Sequence, residues 1–206
     1  MAALAQSAQA KIVYTATNTK IENSTVPLDL NNDGTNDFSF VQFAYNGGQW
    51  QHFYIDALAQ GNSILHDFEK GHAGAGALRP GMPIGPHRPF VADQDILANC
   101  GSISGTRFIT SGNWNDVHNR YLGLRFSING ETHYAWARLT VTGKGGIGAT
   151  LTGYAYETVP NRPIVAGQTS GTYSAGSDDD DGDNVRASIP PAATTLGALA
   201  LGAAKK

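Results

Sequence analysis

One cysteine, Cys100, stands among 206 residues, so no disulfide framework can form within a single chain. Charge is scarce: Asp, Glu, Lys and Arg make up 15% of the chain, with a net charge of −3 and no basic stretch to form a face for nucleic acid. Aromatic residues make up 9% and fall in short alternating runs rather than helical stripes. Together with 25 glycines and 9 prolines, that pattern argues against a helical bundle, a coiled coil or a disordered chain. No apolar run is long enough to span a membrane. The longest, residues 192–204, is too short to cross a hydrocarbon layer of ~30 Å as a helix. Residues 1–10 lack a basic segment and a full apolar segment, yet carry the small-x-small patterns Ala3-Leu4-Ala5 and Ala8-Gln9-Ala10. They read as a signal-peptide remnant or an N-terminal extension, and the expectation is export to the cell surface or medium.

What the sequence does have is strands. Residues 11–17, 37–45 and 50–56 alternate apolar and polar side chains, with a turn at Asn46-Gly47-Gly48. The clearest local signal is Asn129-Gly130 between two alternating runs, because a type I′ turn needs positive φ at both positions. Counting outward from that turn pairs Phe126 with His133, Leu124 with Ala135 and Leu122 with Ala137 on a core face. The opposite face pairs Arg125 with Tyr134, Gly123 with Trp136 and Tyr121 with Arg138, which suggests Arg–Tyr cation–π contacts. Continuing the alternation through residues 147–157 sets Tyr154 and Tyr156 on this same aromatic face. A second face this aromatic is expected to be covered, by the Gly/Pro-rich stretch 71–89, by a neighbouring subunit, or by a sugar.

Asp29-Leu30-Asn31-Asn32-Asp33-Gly34-Thr35-Asn36-Asp37 is the strongest chemical motif. Oxygen ligands Asp29, Asn31 and Asp33, a glycine for the sharp turn, the Thr35 carbonyl and Asp37 describe a calcium loop. Phe40 stands where an EF-hand needs a bidentate glutamate, so the loop runs into a strand instead, and the cofactor expected is calcium acting as a structural clip. Asp179, Asp181 and Asp183 are a possible second metal site in a low-complexity acidic stretch. Enzyme motifs are absent. His66, Asp67, Glu69 and His72 have no helical frame to orient them on a metal, and Ile103 occupies the middle of Gly101-Ser102-Ile103-Ser104-Gly105, where a nucleophile elbow needs serine. Cys100 reads as a buried structural thiol.

Residues 26–38, together with residues 121–126, 133–138 and 153–158, resemble a family of secreted bacterial β-rich proteins that carry exosortase-type (PEP-CTERM-like) sorting tails. Residues 195–203 are similar to the middle of such a tail, although Ile189-Pro190-Pro191 replaces its Pro-Glu-Pro opening. The resemblance implies export and a β-rich fold and carries no activity. The expectation is a single jelly-roll-like β-sandwich over residues 11–167. A Ser/Gly/Asp-rich linker follows at 168–191, then an apolar sorting-like or strand-donating tail at 192–206. The expected function is non-enzymatic: a surface or matrix protein that polymerises with copies of itself by strand addition, Thr194 to Ala203 or residues 11–17 being donated to an open sheet edge. The alternative is a carbohydrate-binding module stacking sugars on Trp136, Tyr134, Tyr121 and Tyr154, with Arg125 and Arg138 as donors.

Overall fold

The computed structural model describes residues 11–67, 73–103, 106–143 and 146–171, and these form strands, turns and loops with no helix. The N-terminal extension, the acidic stretch with Asp179, Asp181 and Asp183, and the apolar tail lie outside the described residues. In chain order the strands begin with β1 (Ile12–Ile21), β2 (Ser24–Leu28), β3 (Phe38–Tyr45), β4 (Trp50–Ala57), β5 (Ser63–Asp67), β6 (Gly74–Ala75) and β7 (Pro83–Ile84). They continue with β8 (Phe90–Val91), β9 (Gln94–Ile103), β10 (Thr106–Ser111), β11 (Val117–Ile128), β12 (Glu131–Thr142), β13 (Gly148–Glu157) and β14 (Ile164–Val165).

Two antiparallel layers result. One runs β1-β13-β12-β11-β5-β6 with β8 also paired to β5; the other runs β10-β9-β4-β3-β2. The chain passes repeatedly from one layer to the other, and three of the six pairings in the first layer and three of the four in the second join consecutive strands. Alternation explains the layering: Phe38, Phe40, Phe53 and Ile55 point inward from the second layer and meet Leu122, Leu124, Phe126, Ala135 and Ala137 from the first. The β11–β12 hairpin has the register counted from its turn, residue for residue from Tyr121–Arg138 to Phe126–His133, with Asn129 and Gly130 at φ of 53° and 82°.

The outer face of the first layer is a second core. Trp136, Tyr121, Tyr134, Leu65 and Ile12 are buried there under Leu78, Ile84, Ile164 and Ala166. The lid is built from the same chain. β7 pairs with β14, Leu78 exchanges main-chain hydrogen bonds with Tyr121 at 2.9 and 3.0 Å, and the Trp136 indole Nε1 donates to the Gln168 carbonyl at 3.0 Å. Of the three covers considered for this face, the one present is the Gly/Pro-rich stretch, joined by residues 164–168. The ordered body therefore reaches at least Gln168, one residue into the segment assigned to the linker.

One face assignment needs correction. A bulge at Thr152 shifts the register of β13, so that Trp136 lies opposite Ala155 while Tyr154 and Tyr156 lie opposite Ala137 and Ala135 on the inter-layer side. Tyr156, half-buried, packs edge-on against Phe126 at 5.5 Å, against the main core and away from Trp136.

Candidate functional site

The Asp-rich loop joins β2 to β3 and is closed by its last residue. Asp37 donates its main-chain N–H to the Leu28 carbonyl at 2.9 Å, and its Oδ2 accepts from the Leu30 N–H at 2.8 Å. Its own carbonyl accepts from Leu58 N–H and from the Asn62 amide. Asp29 accepts from the N–H groups of Asp33 and Gly34 at 3.3 and 2.8 Å; Asp33 accepts from Thr35 N–H and from the Asn31 amide at 2.8 and 2.9 Å. This is the Asx geometry of a turn that can hold itself without a metal. Among the described residues no three His, Cys, Asp or Glu side chains are grouped closely enough to hold a metal ion.

Two observations nevertheless suit a cation. Asn31 Oδ1 is buried and has no hydrogen-bond partner. Burial first, then the negative charges of Asp29 and Asp33, push the Asp37 carboxyl up to about 6, with the Leu30 N–H pulling the other way. A hard cation with oxygen ligands would satisfy the amide oxygen and relieve the crowding of negative charge, and Asp29, Asn31, Asp33, Asp37 and the Thr35 carbonyl are the residues that would hold it.

No family model, curated protein or solved structure matches the chain. The functional reading therefore rests on its own residues.

The aromatic face fails as a free interface or sugar platform, because Tyr121, Tyr134 and Trp136 are 5%, 3% and 0% exposed beneath the lid. Tyr154 and Tyr156, partly buried, pack against the inter-layer core instead. The arginines are not placed over tyrosines either. Arg125 lies over the Phe90 ring at 5.1 Å and donates from Nε to Ser63 Oγ at 2.8 Å. Arg138 donates from Nε to Thr152 Oγ1 at 2.8 Å and from Nη2 to the Thr152 carbonyl at 3.2 Å, so it clamps the bulge of β13. Both roles are structural.

The exposed aromatics are elsewhere. On the outer face of the second layer, His52 is stacked on Phe43 at 5.2 Å and on Tyr45 at 5.3 Å, with Phe43 and Tyr45 39% and 46% exposed. The outward positions of β3 and β4 could have been read from the alternation of Phe38 and Phe40 against Val41 and Phe43. Of the histidine and acid cluster, His66 Nδ1 lies 2.8 Å from Oδ2 of Asp95, a partner 29 residues away that spacing does not reveal. Glu69 and His72 fall outside the described residues. Cys100 is buried, in keeping with a structural thiol.

Proposed function

We propose that this is an exported, non-enzymatic structural protein of the bacterial surface or extracellular matrix, which associates with copies of itself by adding a strand to an open sheet edge. The observation that carries the reading is β1: ten residues long, it pairs among the described residues only with β13 and leaves its other side open. Open edges are templates for pairing, and head-to-tail addition propagates because it does not close. The β1 pairing also removes one donor strand from consideration, since residues 12–17 are already committed within their own sheet. Sedimentation velocity and negative-stain microscopy of the full chain test the reading. Concentration-dependent growth into extended species is expected, and a strict monomer at every concentration would reject it.

Calcium at residues 29–37 belongs to the same reading, as a clip that stiffens the β2–β3 connection beside the open edge. Extracellular modules bind calcium with dissociation constants of about 0.1–1 mM. Ten millimolar calcium should therefore stabilise the fold by about 1.5–3 kcal/mol over the same protein in chelator. Asp33→Ala should lose that gain. Equal melting temperatures of the parent protein in calcium and in chelator would remove calcium from the account.

A carbohydrate-binding role has one observation in its favour, the exposed row of Phe43, His52 and Tyr45. If sugars stack there, the protein is retarded on polysaccharide gels, and Phe43→Ala abolishes the retardation with little change in melting temperature. Unretarded parent protein would dismiss the role.

A further inference from the structure

The open edge of β1 does not stand alone: it forms one wall of a groove. The facing wall is β2, the edge strand of the other layer, and the space between them measures about 460 Å³. Thr15 and Thr19 of β1, Val26 and Leu28 of β2, and Leu151 and Tyr154 of β13 line it. Leu28 and Leu151 belong to the inter-layer core, and Val26 and Tyr154 pack against it, so the groove opens onto apolar side chains. A register shift in β1 between Ala16 and Thr19 falls along this wall, and such irregularities bend a strand.

The main-chain groups along the groove can be assigned. Thr158 N–H donates to the Lys11 carbonyl at 3.0 Å, marking Lys11–Thr158 as a hydrogen-bonded pair of the ladder. Alternation then makes Val13–Tyr156 and Thr15–Tyr154 the bonded pairs and turns the N–H and C=O of Ile12, Tyr14 and Ala16 to the open side. On the facing wall Pro27 removes a donor and β2 has only five residues, so β1 is the better template.

We infer that this groove receives residues 194–203 of a neighbouring copy as an added strand antiparallel to β1. The inference rests on the assembly reading and names its contact. Within residues 194–203, Leu199 and Leu201 fall on one face of an extended strand, and the segment has no charge and no proline. The 22 residues from 172 to 193 separate it from Gly171, a stretch rich in Ser, Gly and Asp. Twenty-two residues span at most ~75 Å when fully extended, enough to reach an adjacent molecule. Direction follows from charge. The groove ends at Asp29 beside the acidic loop, and Lys205-Lys206 follow the apolar segment, so the lysines meet Asp29 when the added strand runs opposite to β1.

The test uses full-length protein carrying Leu199→Asp and Leu201→Asp as the acceptor, because those changes leave the β-body untouched. A synthetic peptide of residues 190–206 is added, and amide exchange is followed residue by residue. Protection of the Tyr14 and Ala16 amides by at least tenfold is expected, and Thr15→Lys in the acceptor should abolish it while its melting temperature stays near that of the acceptor. Protection confined to another edge, or none, overturns the inference. If the parent protein still polymerises in that case, the assembly reading survives and only the contact is wrong. If the parent protein is a monomer yet protects Tyr14 and Ala16 relative to the Leu199→Asp, Leu201→Asp variant, the tail docks on its own body and the neighbouring copy is rejected.

Discussion

Trp136→Ala is expected to destabilise the fold by about 3–5 kcal/mol, the range for deleting a fully buried aromatic side chain. The indole is wholly buried, packs edge-on against Tyr121 at 5.1 Å and lies 5.8 Å from Tyr14. Its Nε1 donates to Gln168, so removing it also leaves a carbonyl of the lid without its donor. Single domains have a total stability of about 5–15 kcal/mol, so this loss brings the variant close to the limit of folding. Urea denaturation should show a lower midpoint with an unchanged slope. Trp136→Phe keeps most of the ring and loses only the hydrogen bond and some volume, and should cost about 1–2 kcal/mol. A cost below about 1 kcal/mol for Trp136→Ala would mean that the outer face is not packed as described.

Gly112→Ala should be more damaging still. Gly112 has φ of +92°, and a Cβ there would lie 2.2 Å from the Leu97 carbonyl oxygen and 2.8 Å from Ala98 Cα. The overlap is with β9 main chain, which cannot rotate away as a side-chain end can. That close approach lets the Trp114 N–H reach the Leu97 carbonyl at 3.0 Å while its indole Nε1 donates to Ala75 at 3.0 Å. Moving the segment to admit a methyl group would break both bonds around a fully buried tryptophan, a loss on the order of 4 kcal/mol or more. Gly48→Ala is the control. Its φ is +83° but nothing lies within 4 Å of the added Cβ, so only backbone strain of about 1 kcal/mol is expected. Similar losses for the two variants would show that strain, not overlap, governs Gly112.

How much of this was legible follows from particular elements. The β11–β12 register could be read because Asn129-Gly130 admits one tight turn, and everything outward from it is counting. The faces of β13 could not, because a bulge adds one residue without a sequence mark and moves every later side chain to the other face. Arg138, expected as a donor to sugar, is the residue that holds that bulge. β2 was hidden by Pro27 and by the acidic loop that follows it, and β7 and β14 are two residues each, too short to display a period. The second core was half legible: its aromatic composition called for a cover, but the choice of cover depends on contacts between residues more than 40 positions apart, such as Leu78 with Tyr121. At the acidic loop, composition and spacing single out the candidate ligands, while the burial that lifts the Asp37 carboxyl against the pull of the Leu30 N–H comes from the folded surroundings and leaves no mark in the spacing.

The lid has a mechanical meaning. Gln168 ties the Trp136 indole to the last described stretch of the body, and β14, just before it, is held by a two-residue pairing to β7. Tension applied from beyond residue 171 would therefore enter the molecule at this two-residue pairing. The lid would peel one contact at a time while β1, joined to β13 along most of its length, resists in shear. If subunits join as proposed, the lid is the part expected to yield before the sandwich does.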